Sequence, residues 1–226
     1  MIPLKGVAAA SSSASFFAKG FSKMTEQTNR NRTAHLVRMA IFAALTVVLG
    51  YFNIPTPFGF EITLASVPVV VGAVFLGTSG GAVLGGVWGL SSFLTCFTGS
   101  PMGTILIAAN PFYCFLVCVP TRLLVGLLVA LLWKWVKKIT NRPFSAYLIG
   151  AVGPLLNTYL FMSTLFLLFL PEVAAFCGVT IEENVFSTVV ALLGIMAGIN
   201  VIVETVVGCI LSGSVIMALW HYEKRR

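Results

Sequence analysis

The chain contains no aspartate, and its seven acidic residues are all glutamate. Only 9% of its 226 residues are charged, against about a quarter in an ordinary soluble domain. That scarcity excludes a conventional soluble fold. The chain also lacks a GxxxxGKS/T phosphate loop, so it carries no ATPase site of its own. There is no HExxH pair. The only two histidines, His35 and His221, lie outside the apolar segments, so an intramembrane serine–histidine protease has no base. The five cysteines show no CxxC spacing. Cys114 and Cys118 stand one helical turn apart and read as small packing residues before they read as a metal or redox site. The sequence offers no catalytic, cofactor or metal site. These absences point away from an enzyme and toward a transporter or binding subunit.

What is present is apolar: 58% of the residues are hydrophobic. Six apolar segments lie near 36–51, 63–77, 80–97, 112–133, 144–170 and 186–219. A span needs about 20 apolar residues to cross roughly 30 Å of hydrocarbon. The expected fold is all-α and integral to the membrane, with six transmembrane helices. Only Thr78 and Ser79 separate the second and third segments, which predicts a tight helical hairpin. Gly77, Gly81, Gly85 and Gly89 recur every four residues and line one helix face for close backbone approach, either to a neighbouring helix or to a partner subunit.

Residues 1–34 differ from the rest. Their first part is rich in alanine and serine with three lysines and no acid. A signal peptide, a transit peptide and an upstream extension before Met24 all compete. The segment is read as a disordered or mis-called N-terminal extension, followed by a transmembrane substrate-binding domain over 35–222 and a basic cytoplasmic tail over 223–226.

The net charge of +7 is confined to a few places and is not a nucleic-acid signal. Six basic residues lie in the N-terminal region up to Arg38, four lie at 134–142 and three end the chain. The connections 51–62, 98–111 and 171–184 hold none. Six spans put every basic cluster on one side, which should be cytoplasmic together with both termini. The outer connections 51–62 and 98–111 are rich in turn formers, and the apolar Ile105, Leu106 and Ile107 suit a cover over a cavity. Asn110-Pro111 is read as a turn and helix cap.

Thirteen of the fourteen basic residues obey that rule; Arg122 does not. It lies about ten residues into its segment, about 15 Å deep and near the midplane. A charge there costs a few kcal/mol or more and marks a functional site by default. Pro120 leaves the carbonyl of Leu116 without its helical donor and predicts a bend beside the charge. Two readings of Arg122 stand side by side: contact with an anionic ligand, or an ion pair with Glu204, the only acid deep in a span. Asn157, Thr158 and Asn200 are the other polar candidates. They either bond between helices or face a polar ligand. Thr164 falls on the face of Asn157. An arginine with two amides suits a small anion with hydroxyl or amide groups.

Four stretches carry a resemblance. RMAIFAALT holds Ala40 and Ala44 in an AxxxA pattern. SVPVVVGAVFLGTSGGAVLGGVWGLSS, VPTRLLVG and GPLLNTYL follow in order and spacing. Over about residues 36 to 215 the chain resembles the substrate-binding S components of energy-coupling-factor (ECF) vitamin importers, and its helix motifs resemble the pantothenate-type members. Thr78, Thr121 and Leu156 depart from that pattern. The resemblance implies a bacterial, multi-pass cell-membrane subunit that captures a vitamin from outside. It implies docking through Ala40 and Ala44 on a transmembrane coupling subunit that carries two ATP-binding subunits. Pantothenate is the implied substrate, with Arg122, Asn157, Thr158, Asn200 and Glu204 as substrate-binding residues; biotin is the rival. The alternative class is a multi-pass scaffold, which predicts an Arg122–Glu204 pair and a solid centre under residues 98–111.

Overall fold

The computed structural model of the protein describes residues 30, 32–55, 61–180 and 185–225. Most of the N-terminal extension, Glu182, Glu183 and the final Arg226 therefore lie outside the described residues. By internal packing the chain divides into Met1–Ala40 and Ile41–Arg226. The described part of the first unit is the start of helix α1, Arg32–Tyr51. The second unit holds the remaining elements. These are strands β1 (Asn53–Pro55) and β2 (Glu61–Thr63), then helices α2 (Ser66–Thr98), α3 (Pro101–Ala109), α4 (Pro111–Ile139), α5 (Arg142–Cys177) and α6 (Val185–Lys224).

Five described helices are long and apolar enough to cross a membrane. They expose large apolar side chains outward, including Leu167, Tyr159 and Ile202, while Thr121, Arg122, Ser145 and Asn157 are buried. In lipid an apolar exterior is the stable one, and polar groups turn inward to find partners.

The second and third apolar segments form one continuous element interrupted at Gly77, whose φ of 76° and ψ of −164° break the helix. Glycine is required there because a Cβ disfavours that region. The chain folds back on itself at this point. A Cβ added to Gly81 would sit 3.0 Å from the Cβ of Ala73, and one on Gly72 would strike Leu84. In a straight helix, eight residues separate such atoms by about 12 Å. The expected hairpin is therefore present. Its first arm, residues 66–76, is only about 16 Å long and spans about half of the hydrocarbon.

The glycine stripe is spent on packing inside the fold. Cβ atoms on Gly81 and Gly85 would strike the carbonyls of Gly126 and Arg122 on α4, and one on Gly89 would lie 2.7 Å from the Cα of Val119. Contact with backbone cannot be relieved by rotating a side chain. A Gly85→Leu variant is therefore expected to lose the folded, monodisperse species on size exclusion in mild detergent. A normal elution peak would contradict this packing.

Two connections are more ordered than their composition indicates. Residues 53–55 and 61–63 pair as a short antiparallel hairpin, with Ile54 opposite Ile62. This small sheet is the one addition to the all-α expectation among the described residues. Residues 98–111 contain α3, capped by Ser100, whose side chain accepts from the backbone of Gly103 at 3.3 Å, with Pro101 at the first turn. Asn110 caps α4 as its sequence predicts, accepting from the N–H groups of Phe112 and Tyr113.

Helix α4 has 29 residues, about 43 Å, and outruns the hydrocarbon, so Lys134, Lys137 and Lys138 ride on its last turns and not in a loop. Helix α4 continues through Pro120 as one helix. The Thr121 hydroxyl donates back to the carbonyl of Val117, one turn earlier on the same helix. The sharper break is at Phe169 in α5 (φ −136°, ψ 27°), two residues before Pro171. The helix resumes and reaches Cys177, beyond the expected end at residue 170. Gly178, at φ 67°, closes it in the left-handed conformation.

Candidate functional site

Arg122 is the twelfth residue of α4, about 17 Å along the helix. It is 8% exposed and borders a partly open cavity. The cavity lies toward the end of the bundle where α1 finishes and α4 begins. Gly50, Thr63 and Ser100 line it there, and Met102 and Leu106 of α3 close over it. Leu106 is the inward member of the apolar trio, whereas Ile105 faces out. The centre beneath residues 98–111 is thus hollow, contrary to what a scaffold predicts. A second cavity at the other end of α4 is of different character, lined by Trp133, Lys137, Lys138 and Trp220.

The guanidinium of Arg122 is held in place by its surroundings. One Nη1–H donates to the carbonyl of Cys118 at 3.2 Å. The Cζ lies 5.1 Å from the ring centre of Trp88 and 4.9 Å from that of Phe161. Two aromatic faces offset part of the cost of desolvating the cation without neutralising it. Nε is buried with no hydrogen-bond partner. Among the described residues Arg122 forms no ion pair with Glu204. The Glu204 carboxylate instead accepts from the backbone N–H of Thr63 at 3.3 Å and ties the end of β2 to α6. Of the two readings of Arg122, the structural pair is the one the geometry does not contain.

Asn157 is also 8% exposed, and its Oδ1 is buried without a partner. Helix α5 places Asn157 and Thr158 on the cavity wall, and α6 places Asn200 and Glu204 there. All five residues singled out in the sequence therefore meet in one cavity, drawn from three helices. Thr164 does not join them; its hydroxyl bonds back to the carbonyl of Leu160. Ala40 and Ala44 are each exposed on α1, and Ile41, Leu45 and Val48 are exposed apolar neighbours.

Sequence reasoning missed the polar wall of α2. Ser91, Ser92 and Thr95 line the cavity. The Ser91 hydroxyl donates to the carbonyl of Trp88 at 2.8 Å, and the Thr95 hydroxyl to that of Ser92 at 2.8 Å. The signal was the polar cluster in SSFLT within an apolar helix. Trp88 and Phe161 gave no signal, because a buried aromatic reads as core until its cation is found.

Chemically the site joins one cation, a Glu204 carboxylate that forms no direct ion pair with it, an amide oxygen without a donor and a set of hydroxyls, enclosed by apolar walls. That suits capture of a small polar anion.

The family model for the substrate-specific component of ECF transporters matches residues 34–219. The pantothenic acid transporter PanT of Lactococcus lactis subsp. cremoris is 31% identical over 205 residues, covering 84% of this chain and 95% of the relative. The pantothenate transporter PanT of Leuconostoc mesenteroides subsp. mesenteroides is 29% identical over 141 residues, covering 58% of this chain and 67% of that protein. With bacterial transporters as relatives and five apolar helices, the chain is a multi-pass protein of the bacterial cell membrane. It belongs to the ECF transporter family, as a substrate-specific component.

Proposed function

We propose that the vitamin captured is pantothenate, bound in the cavity around Arg122. The observation that carries this is the pair of unpartnered buried groups, Arg122 Nε and Asn157 Oδ1, in one cavity. Pantothenate has a carboxylate for the guanidinium, two hydroxyls that donate to an amide oxygen, and an amide of its own. A charge-assisted contact is roughly twice as strong as a neutral one, so the carboxylate is the main anchor. Thr158, Asn200 and the α2 hydroxyls complete the polar wall, and Glu204 shapes the rim through its bond to Thr63. The named function of both PanT relatives points the same way.

The substrate is taken from outside and released inward when the subunit docks on a transmembrane coupling subunit with two ATP-binding subunits. Ala40 and Ala44, on an exposed small-residue stretch of α1, serve as the docking face. The chain itself performs no catalysis. The domain runs over residues 35–222 between an N-terminal extension and the basic tail. Six apolar segments, with the hairpin of α2 counted as two, and the basic clusters support cytoplasmic termini. A reporter fused after Arg226 is expected to read as cytoplasmic; an external signal would overturn this orientation.

The deciding experiment is a vitamin panel titrated against the purified protein by native tryptophan fluorescence, with Trp88 beside the site as reporter. Pantothenate alone should give saturable, one-to-one binding. Biotin saturating at lower concentration, or no vitamin binding, would contradict the assignment.

A further inference from the structure

The cavity has a second chemical character besides its cation. Cys96, Cys114 and Cys118 are free thiols, each no more than 6% exposed. Their three sulfurs all lie within 4.8 Å of one another, and Cys96 and Cys118 are 3.9 Å apart. Cys114 and Cys118 are one turn apart on α4, and Cys96 reaches across from α2. The sequence could not show this, because Cys96 stands at no metal-like spacing from the others. Cys96 is held from behind: α3 packs the bare Cα of Gly103 against it, where an added Cβ would lie 2.9 Å from its sulfur.

Metal–thiolate bonds are about 2.3 Å long. Three sulfurs around one ion in a plane are then about 4.0 Å apart, by simple trigonal geometry. The separations present need only sub-ångström adjustments to reach that arrangement. Three thioethers, Met102, Met162 and Met196, line the cavity that Cys96 and Cys118 also border. A donor set made of thiols and thioethers, with no imidazole, selects a soft monovalent d10 ion over a hard one.

We propose that Cys96, Cys114 and Cys118 form a trigonal site for Cu(I) or its redox-inert analogue Ag(I), at the wall of the substrate cavity. All three thiols lose their protons to solvent on binding, since the thiolate is the metal ligand. The resulting complex carries two negative charges. Arg122, anchored on the carbonyl of Cys118, offsets one of them. No change of oxidation state is involved. The metal site does not depend on which vitamin is bound, but it shares Arg122 with the proposed anion site, so metal and anion compete for the one guanidinium.

The test uses the full chain in detergent, reduced, exchanged into reductant-free buffer without oxygen, loaded with Ag(I) or Cu(I) and then passed over a desalting column. One metal per chain should be retained. X-ray absorption of the Cu(I) form should show a sulfur-only shell of three donors. A Cys114→Ser variant should bind at least about 10-fold more weakly, whereas Cys177→Ser with Cys209→Ser should bind as the parent does. Absence of retained metal, a shell of nitrogen or oxygen, or equal retention after all three cluster cysteines are replaced would overturn the site. The absorption measurement uses the unaltered protein, so a misfolded variant leaves the proposal open to refutation.

Discussion

Replacing Arg122 with alanine is expected to weaken pantothenate binding by at least about 100-fold while the helices stay folded. Both halves follow from the position of the residue. A carboxylate brought into this cavity leaves water and finds one cation, which touches two aromatic rings and a carbonyl and forms no direct ion pair with Glu204 on α6. Removing one partner of a buried charge pair costs about 3–5 kcal/mol, or about two to three and a half decades in Kd. The fold has no such stake in the arginine. Among the described residues its hydrogen bond is to its own helix, at Cys118, and a charge in mid-membrane costs about 2.5–3.5 kcal/mol to insert. The thermal midpoint of Arg122→Ala should therefore equal or exceed that of the parent, measured by static light scattering or nanoscale fluorimetry. Lost binding with a large drop in midpoint would make the arginine a structural residue.

Asn157→Asp is the second large effect. The substitution keeps the shape and one oxygen in place but adds a negative charge to the cavity of Arg122. At the effective dielectric of about 20 that suits a partly buried site, a charge is felt about four-fold more strongly than in bulk water. The new carboxylate neutralises the guanidinium and repels the vitamin's own carboxylate, so binding should fall by about 100-fold. Asn157→Ala removes only a neutral acceptor, worth about 1–2 kcal/mol, and should cost about 5- to 30-fold. The order of the two variants is the informative result, read by isothermal calorimetry. Equal losses would mean that Asn157 supports helix packing and does not face the anion.

Much of this was legible in the sequence because membrane physics is restrictive. Apolar length gives the spans, and a lone cation in one of them has to be explained. The convergence of Arg122, Asn157, Thr158, Asn200 and Glu204 was legible for the same reason: polar groups in lipid turn inward, and an interior is shared. The hairpin was legible from the two residues, Thr78 and Ser79, that separate its apolar arms; that Gly77, read as part of a packing stripe, supplies the positive φ of the reversal was not. The extension of α4 through Lys138 was not, because lysines at a helix end and lysines in a loop satisfy the same charge rule. Helix α3 was hidden for a related reason: Pro101 and Gly103 are turn formers by composition, but Pro101 starts the helix and Gly103 lets it sit on Cys96. The three-cysteine cluster was out of reach altogether. It depends on α2 and α4 approaching along glycines, and no local spacing encodes the register between two helices.

The central claim is that Arg122 receives the carboxylate of the substrate. The most direct measurement is calorimetric binding of pantothenate and of its alcohol analogue, which lacks the carboxylate, to the parent protein and to Arg122→Ala. The account predicts that the parent prefers pantothenate by about 100-fold and that the variant binds the two ligands equally weakly. A parent that binds both alike, or a variant that keeps the preference, would contradict it.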